Sequence, residues 1–224
     1  MRNFIRNSWL KSIPSNVCYV FLYDKHKYIP EHEKFDGISL NATHEGFAVR
    51  FGEKLYRYYS YVVNNPKLKY VKYIVKMDDD ALPCPKKLFE YLDGRNLTGK
   101  SYAGWFHNMD TWKSQFDSVY RADEMFLLLG RDLVTRIASK PYCNHPYKIL
   151  CDSLGQLYDA NCGGMSIGVW LSQMQDVNPL PMNNVIDQKG RNKLRPEDIL
   201  LFHTAKTPEI AKEKYANCQK MRLK

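Results

Sequence analysis

Apolar runs with the spacing of strands and of helices follow one another along the chain, separated by polar segments. The clearest strand pattern covers residues 70–77, where β-branched and aromatic residues are interleaved with lysines. In the first half, the pattern predicts a short helix over 1–12, strands over Asn16–Asp24 and 37–41, an amphipathic helix over Phe47–Val63, and a helix from Pro85 to about Leu92. This strand–helix–strand–helix order favours an α/β fold with a mainly parallel sheet.

The order of elements changes at about residue 100. In the second half, the pattern predicts strands over 101–106 and Trp112–Tyr120, a very apolar segment at 124–130, a helix over Arg131–Ser139, helix at the end of 162–174, a late strand over 199–204, and a last helix from Pro208 to Cys218. The sequence contains no internal repeat and no low-complexity segment. A chain of 224 residues can bury a large core, so we expect a single domain over 1–224.

Three consecutive aspartates, Asp78, Asp79 and Asp80, stand where the strand at 70–77 leaves the sheet. In an open α/β sheet, ligands bind beyond the carboxyl ends of the strands. Carboxylates at this spacing repel one another unless a cation or several hydrogen-bond donors face them. The segment therefore predicts either a divalent metal that holds a phosphorylated ligand or a solvated acidic turn that caps the next helix.

The charge of the chain limits the classes of partner. There are 33 basic and 24 acidic residues, which gives a formal net charge of +9. A polyanion-binding protein has such a charge, and so does an enzyme that handles anionic nucleotides and glycans. The densest basic segments, KLKYVKY and KEKYANCQKMRLK, are interleaved with structure-forming residues. We therefore expect no nucleic-acid partner.

The cysteines and the N-glycosylation sequons indicate in which cellular compartment the protein is expected to reside. The six cysteines include no CxxC pair, which argues against a zinc cluster. Their even number and two N-glycosylation sequons, at Asn41 and Asn96, are compatible with an oxidising lumen. No window of about 18 apolar residues occurs. We therefore expect no signal peptide or membrane anchor within these residues, and any anchor to precede them.

Five motifs, in order and spread over nearly the whole chain, resemble the β-1,3-galactosyltransferase family, type II Golgi enzymes related to the Fringe transferases. RNFIRNSWL resembles the opening Arg-x-x-Ile-Arg-x-(Thr/Ser)-Trp, and YIVKMDDDA resembles the Lys-x-Asp-Asp-Asp strand end. LLLGRDLV is similar to Tyr-Val-Leu-Ser-x-Asp-Leu-Val, and SIGVWLSQMQDVN is similar to Gly-x-Trp-Leu followed by Asp-Val. LLFHTAKTPE resembles the late strand that ends in His. The second half is most similar to the branch that adds the second galactose of the glycosaminoglycan linker.

The resemblance implies a Rossmann-like nucleotide-sugar fold of the GT-A type with a mixed central sheet. It also implies Mn²⁺, with UDP-galactose or a related donor, and a glycan acceptor on a protein or proteoglycan in the Golgi lumen. By position, Asp80 and His203 are expected to ligate the metal. Bound there, Mn²⁺ neutralises the charge that develops on the leaving diphosphate, and a neutral imidazole is an acceptable ligand beside the carboxylates.

The remaining positions that match the donor site are Arg2, Arg6, Asp78 and Asp79. Of these, Asp78 is expected to contact the nucleoside, and the arginines are expected to lie near the donor. Without the resemblance, His203 is interpreted as a structural histidine and the arginines as solvated charges on a first helix.

Two positions depart from the family pattern. The family carries Glu-Asp-Val before Gly-x-Trp-Leu, and its Asp is the proposed general base; here the positions are Gly163-Gly164-Met165. A family glycine run is replaced by Glu124-Met125-Phe126, which narrows or reshapes a place where backbone approaches a ligand. The nearby carboxylates that could replace the base are Asp159, Asp123 and Glu124. Apart from that role, Asp159 is interpreted as a loop residue and Asp123 as a turn residue.

Three functional hypotheses follow. The first is an inverting hexosyltransferase in which an acceptor hydroxyl attacks the anomeric carbon and UDP leaves toward the metal. The second is a relative without turnover, with glycine at position 164, that binds nucleotide or a partner enzyme. The third, a basic nucleic-acid-binding protein, is supported by the net charge alone.

Overall fold

The structure is a computed structural model. It describes residues 1–23, 28–40, 49–107, 121–140, 142–145, 148–150, 167–168, 170–171, 174–187, 194–203 and 207–220. The helices are α1 (Arg2–Asn7), α2 (Val49–Asn64), α3 (Pro85–Asp93), α4 (Arg131–Ala138) and α5 (Pro208–Lys220). The strands are β1 (Phe21–Tyr23), β2 (Gly37–Ser39), β3 (Tyr73–Met77), β4 (Leu82–Pro83), β5 (Ser101–His107), β6 (Arg121–Gly130), β7 (Tyr142–His145), β8 (Lys148–Leu150), β9 (Asn178–Pro181), β10 (Ile186–Asp187) and β11 (Leu201–Phe202).

The largest sheet in the described part of the chain has four strands in the order β3-β6-β5-β9. Strand β6 pairs antiparallel with both β3 and β5, while β9 is parallel to β5. An α/β fold with a mixed sheet is thus confirmed. The expectation of a mainly parallel sheet is wrong for this sheet, because the apolar segment at 124–130 forms part of a strand that inserts antiparallel between two parallel ones.

The described residues form three smaller sheets besides this one, one of which is the antiparallel pair of β7 and β8. Strands β1 and β2 form a parallel pair, and β11 lies between β10 and β4, parallel to the first and antiparallel to the second. Strand β4 follows the three aspartates after a single alanine, and β11 directly precedes His203. The pairing of β4 with β11 therefore brings two segments that are distant in sequence to the same place.

The four-stranded sheet is covered on both faces by apolar side chains. Helices α2 and α4 contribute Leu55, Tyr59 and Leu133 to one cluster, together with Leu127 and Leu129 of β6. On the other face, Leu88 and Leu92 of α3 pack in a second cluster. The sheet contributes Ala103 of β5 and Phe126 and Leu128 of β6 to this cluster. Burial of each large side chain contributes about 1.5–3 kcal/mol of transfer free energy. The sheet that carries the acidic strand end is therefore a firmly packed support.

Most predicted elements in the described residues are confirmed. The helices at the N-terminus, over Val49–Asn64, over Pro85–Asp93, over Arg131–Ala138 and at the C-terminus are all present. The predicted buried strand Asn16–Asp24 is wrong in extent, since only Phe21–Tyr23 is a strand, and Tyr19 and Val20 before it are each 37% exposed. The late strand is reduced to two residues. The strand predicted over Trp112–Tyr120 lies outside the described residues.

A disulfide joins Cys84, at the start of α3, to Cys218 in α5, across a sequence separation of 134 residues. Both cysteines are buried in a third apolar cluster with the N-terminal segment, for example Ile5 and Trp9. The disulfide therefore fixes the C-terminal helix to the segment that runs on from the aspartates. Cys18 is a free cysteine and is exposed.

Candidate metal centre

The carboxyl ends of β3 and β5 point toward the same edge of the four-stranded sheet, because both strands pair antiparallel with β6. Met77, at the end of β3, pairs with Phe126, and His107, at the end of β5, pairs with Arg121 at the beginning of β6. The β3–β6 pairing continues past Met77, since the backbone N–H of Asp78 donates to the carbonyl of Met125 at 3.4 Å. The aspartates are therefore held by backbone hydrogen bonding at the edge where ligands of α/β proteins bind.

His203 reaches this edge from β11. Residues Leu201 and Phe202 pair with Pro83 and Leu82 of β4, and the backbone N–H of His203 donates to the carbonyl of Asp187 at 3.0 Å. The Nε2 atom of His203 then lies 3.6 Å from Oδ1 of Asp80. Two residues that the family resemblance implies for one metal site are thus brought together by the pairing of two short strands.

Asp78, Asp80 and His203 form a group in which one ligand atom from each residue lies within 4.8 Å of the others. Asp79, between the two aspartates, is exposed and is not a member of this group. The side chains of Asp80 and His203 are 29% and 12% exposed, so the group is partly shielded from solvent but reachable. We call these three residues the Asp-Asp-His cluster. Asp78, predicted to contact the nucleoside, is here placed among the possible metal ligands.

The chemistry of the cluster suits a divalent cation. Carboxylate oxygens are hard ligands, and an imidazole nitrogen beside them suits first-row divalent ions such as Mn²⁺ and Zn²⁺. The Nδ1 atom of His203 is buried, and in the described part of the chain it has no hydrogen-bond partner. Burying a ring nitrogen without a hydrogen-bond partner costs free energy. The ring of His203 that contains this nitrogen faces a carboxylate oxygen of Asp80 through Nε2. The residues present therefore fit a metal ion, while leaving its identity open.

Lys76 provides a positive charge beside the cluster. Its side chain is 6% exposed, and its Nζ pairs with Oδ1 of Asp78 and donates to the backbone carbonyl of Glu124 at 2.6 Å. Burial raises the pKa of Asp78 above its usual value, the ammonium of Lys76 opposes this, and the carboxylates of Asp80 and Glu124 add to it. Asp78 therefore lies in an acidic group that a second cation, besides Lys76, would stabilise.

A histidine–carboxylate pair lies on the neighbouring strands. Nε2 of His107, at the end of β5, is 2.8 Å from Oδ2 of Asp123 on β6, and the backbone N–H of Met125 donates to the other carboxylate oxygen at 3.1 Å. Burial by itself would raise the pKa of Asp123, but these two hydrogen bonds, with the charges of His107 and His203, lower it to about 2. The interpretation of Asp123 as a turn residue is wrong, because it is a buried residue of a strand.

The residue pattern does not indicate His107 or Lys76 as site residues, although Lys76 stands at the lysine of the Lys-x-Asp-Asp-Asp motif. A lysine within an otherwise apolar strand, immediately before a run of aspartates, was the available signal for Lys76. His107 carried no signal of its own, because its partner is 16 positions away on a strand whose pairing the sequence left undetermined.

Arg2 and Arg6 belong to a polar network with residues of the β1–β2 segment. Arg6 pairs with Asp36 through two contacts of 2.8 Å and with Glu33 at 3.0 Å, and hydrogen bonding to Asp36 raises its pKa. Nη1 of Arg2 donates to the hydroxyl of Tyr23 at 2.9 Å. In this arrangement the arginines connect α1 to the β1–β2 segment, and their predicted role at the donor stays a prediction.

A cavity of about 390 Å³ adjoins the acidic strand end. Side chains of the N-terminal segment, α2, α3 and β3 line it, and most of them are apolar. Its polar lining includes Arg2, Lys54, Lys76, Asp78 and Asp79. A volume in the range of about 300–1,000 Å³, with few polar groups, is typical of small-molecule sites. One aspartate of the Asp-Asp-His cluster therefore borders a space of suitable size for a ligand.

Asp159, Gly163, Gly164 and the sequon residue Asn41 lie outside the described residues. Asn96 is exposed, in the segment after α3.

In the described residues, helices long and apolar enough to cross a membrane are absent. In comparisons with known proteins, no family model matches the chain and no curated protein matches its sequence.

Proposed function

We propose that this protein is a hexosyltransferase that depends on a divalent metal, Mn²⁺, and moves a sugar from a UDP-sugar to a glycan acceptor. The observation that carries the proposal is the Asp-Asp-His cluster at the carboxyl edge of the sheet. The resemblance of the five motifs supports the GT-A type of fold, galactose as the sugar, and a β-1,3 linkage with inversion.

The chain's own residues divide the work in this proposal. Asp80 and His203 hold the metal with Asp78, and the adjoining cavity receives part of the donor. When bound, the ion supplies Lewis-acid stabilisation of the diphosphate as UDP leaves. Lys76 keeps the carboxylate of Asp78 in position through its contact with Oδ1.

A second candidate is a relative without turnover that binds nucleotide or assists an active enzyme. One observation favours it: the position matching the family's general base is Gly164, which has no side chain to accept a proton. Both candidates require metal-dependent nucleotide binding, and they differ in whether UDP is released from a UDP-sugar.

Residence in the Golgi lumen, as a type II membrane protein in full length, is part of the proposal. The Cys84–Cys218 disulfide and the exposed sequon at Asn96 support an oxidising, glycosylating compartment.

Calorimetric titration of UDP into the protein tests the shared requirement. With Mn²⁺ present we expect saturable binding that EDTA abolishes. Asp80→Asn should remove the dependence on Mn²⁺, because an amide oxygen is a weaker ligand for the cation and carries no charge. Asp93→Asn is the matched control, since Asp93 is exposed in the last turn of α3. UDP binding that is indifferent to EDTA, or unchanged in Asp80→Asn, contradicts the proposal.

A further inference from the structure

Transfer to a hydroxyl needs a group that accepts the hydroxyl proton. General-base help of this kind contributes about 10²–10⁴ in rate. The family's residue for this step is replaced by Gly164. A protein that turns over therefore needs a base other than the residue at position 164.

The pair formed by His107 and Asp123 has the arrangement of an oriented base. Asp123 is 9% exposed, and its two carboxylate oxygens are engaged by the ring of His107 and by the backbone of Met125. An ionised carboxylate at Nε2 selects the tautomer that carries hydrogen on Nε2, which leaves the lone pair on Nδ1. The side chain of His107 is 22% exposed, so the ring is reachable by a substrate.

The backbone before His107 is fixed. Both backbone groups of Phe106 are bonded to the side-chain amide of Asn183, at 2.9 Å for the N–H and 2.7 Å for the carbonyl. The pairing of β5 with β6 shifts register between Gly104 and Phe106. A Cβ on Gly104 would lie 2.7 Å from the Cβ of Ala122, so glycine permits the close approach of the two strands there. A register shift re-aims the side chains that follow it.

His107 and Asp123 lie toward the same end of the sheet as the Asp-Asp-His cluster. Strands β3 and β5 lie on either side of β6, roughly 10 Å apart across the sheet, with Met77 paired to Phe126 and His107 paired to Arg121. Inversion requires the attacking oxygen and the departing diphosphate on opposite sides of the anomeric carbon. The base therefore lies on one side of the anomeric carbon and the metal site on the other. Because each pair of reacting atoms is about 3 Å apart, the base and the metal site must be roughly 10 Å apart. Met125 links the pair to the cluster, because its backbone N–H donates to Asp123 and its carbonyl accepts from the backbone N–H of Asp78.

We propose that His107 is the general base of the transfer and that Asp123 is its positioning residue. This inference rests on the proposed function. Nδ1 of His107 accepts the proton of the acceptor hydroxyl as its oxygen bonds to the anomeric carbon. The bond from that carbon to the diphosphate oxygen breaks, and its electron pair leaves with UDP. The imidazolium of His107 then returns its proton to water.

The first test measures UDP released from UDP-galactose with Mn²⁺, with water as acceptor and with p-nitrophenyl β-galactoside as an acceptor probe. His107→Gln should lower kcat about 100-fold or more while UDP affinity stays unchanged. Asp123→Asn should lower kcat by less, with KM for the donor unchanged. His32→Gln is the matched control, because the side chain of His32 is 70% exposed. It should behave like the parent.

The second test needs no loss of activity. Long-range nitrogen–proton spectra of protein labelled at its histidine rings report which nitrogen of His107 carries hydrogen. We expect the Nε2–H form in the parent and a mixture in Asp123→Asn. A parent with hydrogen on Nδ1 overturns the inference even if His107→Gln fails to fold.

The outcomes separate this inference from the proposed function. If UDP does not bind in a metal-dependent way, both fail. If the parent releases UDP and His107→Gln releases it equally fast, His107 is not the base and the hexosyltransferase proposal stands. If the parent binds UDP and Mn²⁺ but releases no UDP from UDP-galactose, the inference is overturned and the relative without turnover is the better proposal.

Discussion

Replacing Asp123 with asparagine tests whether the buried carboxylate on β6 is held in its charged form. In the structure, Asp123 accepts hydrogen bonds from the ring of His107 and the backbone N–H of Met125. Burial opposes the charge, but these contacts prevail, and the pKa falls from its usual 3.8 to about 2. The folded protein therefore binds the proton at this site less tightly than the unfolded chain does.

The difference in pKa sets the size of the effect. Each pKa unit corresponds to about 1.4 kcal/mol, so a fall from 3.8 to about 2 contributes about 2 kcal/mol to the free energy of unfolding at pH 7. Because the folded-state pKa is the lower one, this contribution is complete above the unfolded pKa and is lost as the pH falls through about 2. At pH 3 about half of it remains.

Urea unfolding of the parent and of Asp123→Asn at pH 7, 5, 4 and 3 measures this contribution. We expect the free energy of unfolding of the variant to be lower than that of the parent by about 2 kcal/mol at pH 7. This difference should become smaller below pH 4. Asp93→Asn, on the exposed end of α3, should leave stability unchanged at each pH. The assignment of a stabilised carboxylate is refuted if parent and variant have the same free energy of unfolding at pH 7, or if the difference between them grows as the pH falls.

Three further predictions concern the disulfide, the core and the sequon. Replacing both Cys84 and Cys218 with alanine should lower the free energy of unfolding by up to about 5 kcal/mol, because the disulfide closes a loop of 134 residues; urea unfolding measures this, and equal stability of the two proteins contradicts it. Leu133→Ala should cost about 2–5 kcal/mol in the same assay, since Leu133 is fully buried between α2 and the sheet, and a loss below 1 kcal/mol speaks against that packing. Expression behind a signal sequence should give a mass shift at Asn96 that N-glycosidase removes and that Asn96→Gln lacks, because Asn96 is exposed; an unshifted parent leaves the lumenal proposal without this support.

Local patterns determined much of what the sequence could predict. The strand β3 follows from alternating residues, and it is confirmed over Tyr73–Met77, although the pattern predicts a strand from residue 70. The helices α3 and α4 follow from apolar spacing, with proline at the start of α3 and glycine just before α4. These features depend on neighbours along the chain, so the sequence contains the information directly.

Features that depend on the pairing of distant strands cannot be predicted from the residue pattern. Nothing in spacing alone says that β11 pairs with β4 and so brings His203 to Asp80; the family resemblance proposed that pair, and the structure places the two residues together. The residue pattern does not indicate the His107–Asp123 pair, because this pair depends on the antiparallel insertion of β6 and on a register shift in β5. The strand around Tyr19 was predicted too long, since β propensity does not report whether a partner strand covers the segment.

A crystal grown with Mn²⁺ and UDP tests whether Asp78, Asp80 and His203 hold a metal ion. Diffraction data collected at the manganese absorption edge locate the ion independently of the protein density. We expect an anomalous peak within coordination distance of carboxylate oxygens of both aspartates and a ring nitrogen of His203, in contact with the diphosphate of UDP. A peak at another position, or UDP bound with no peak at these three residues, would contradict it.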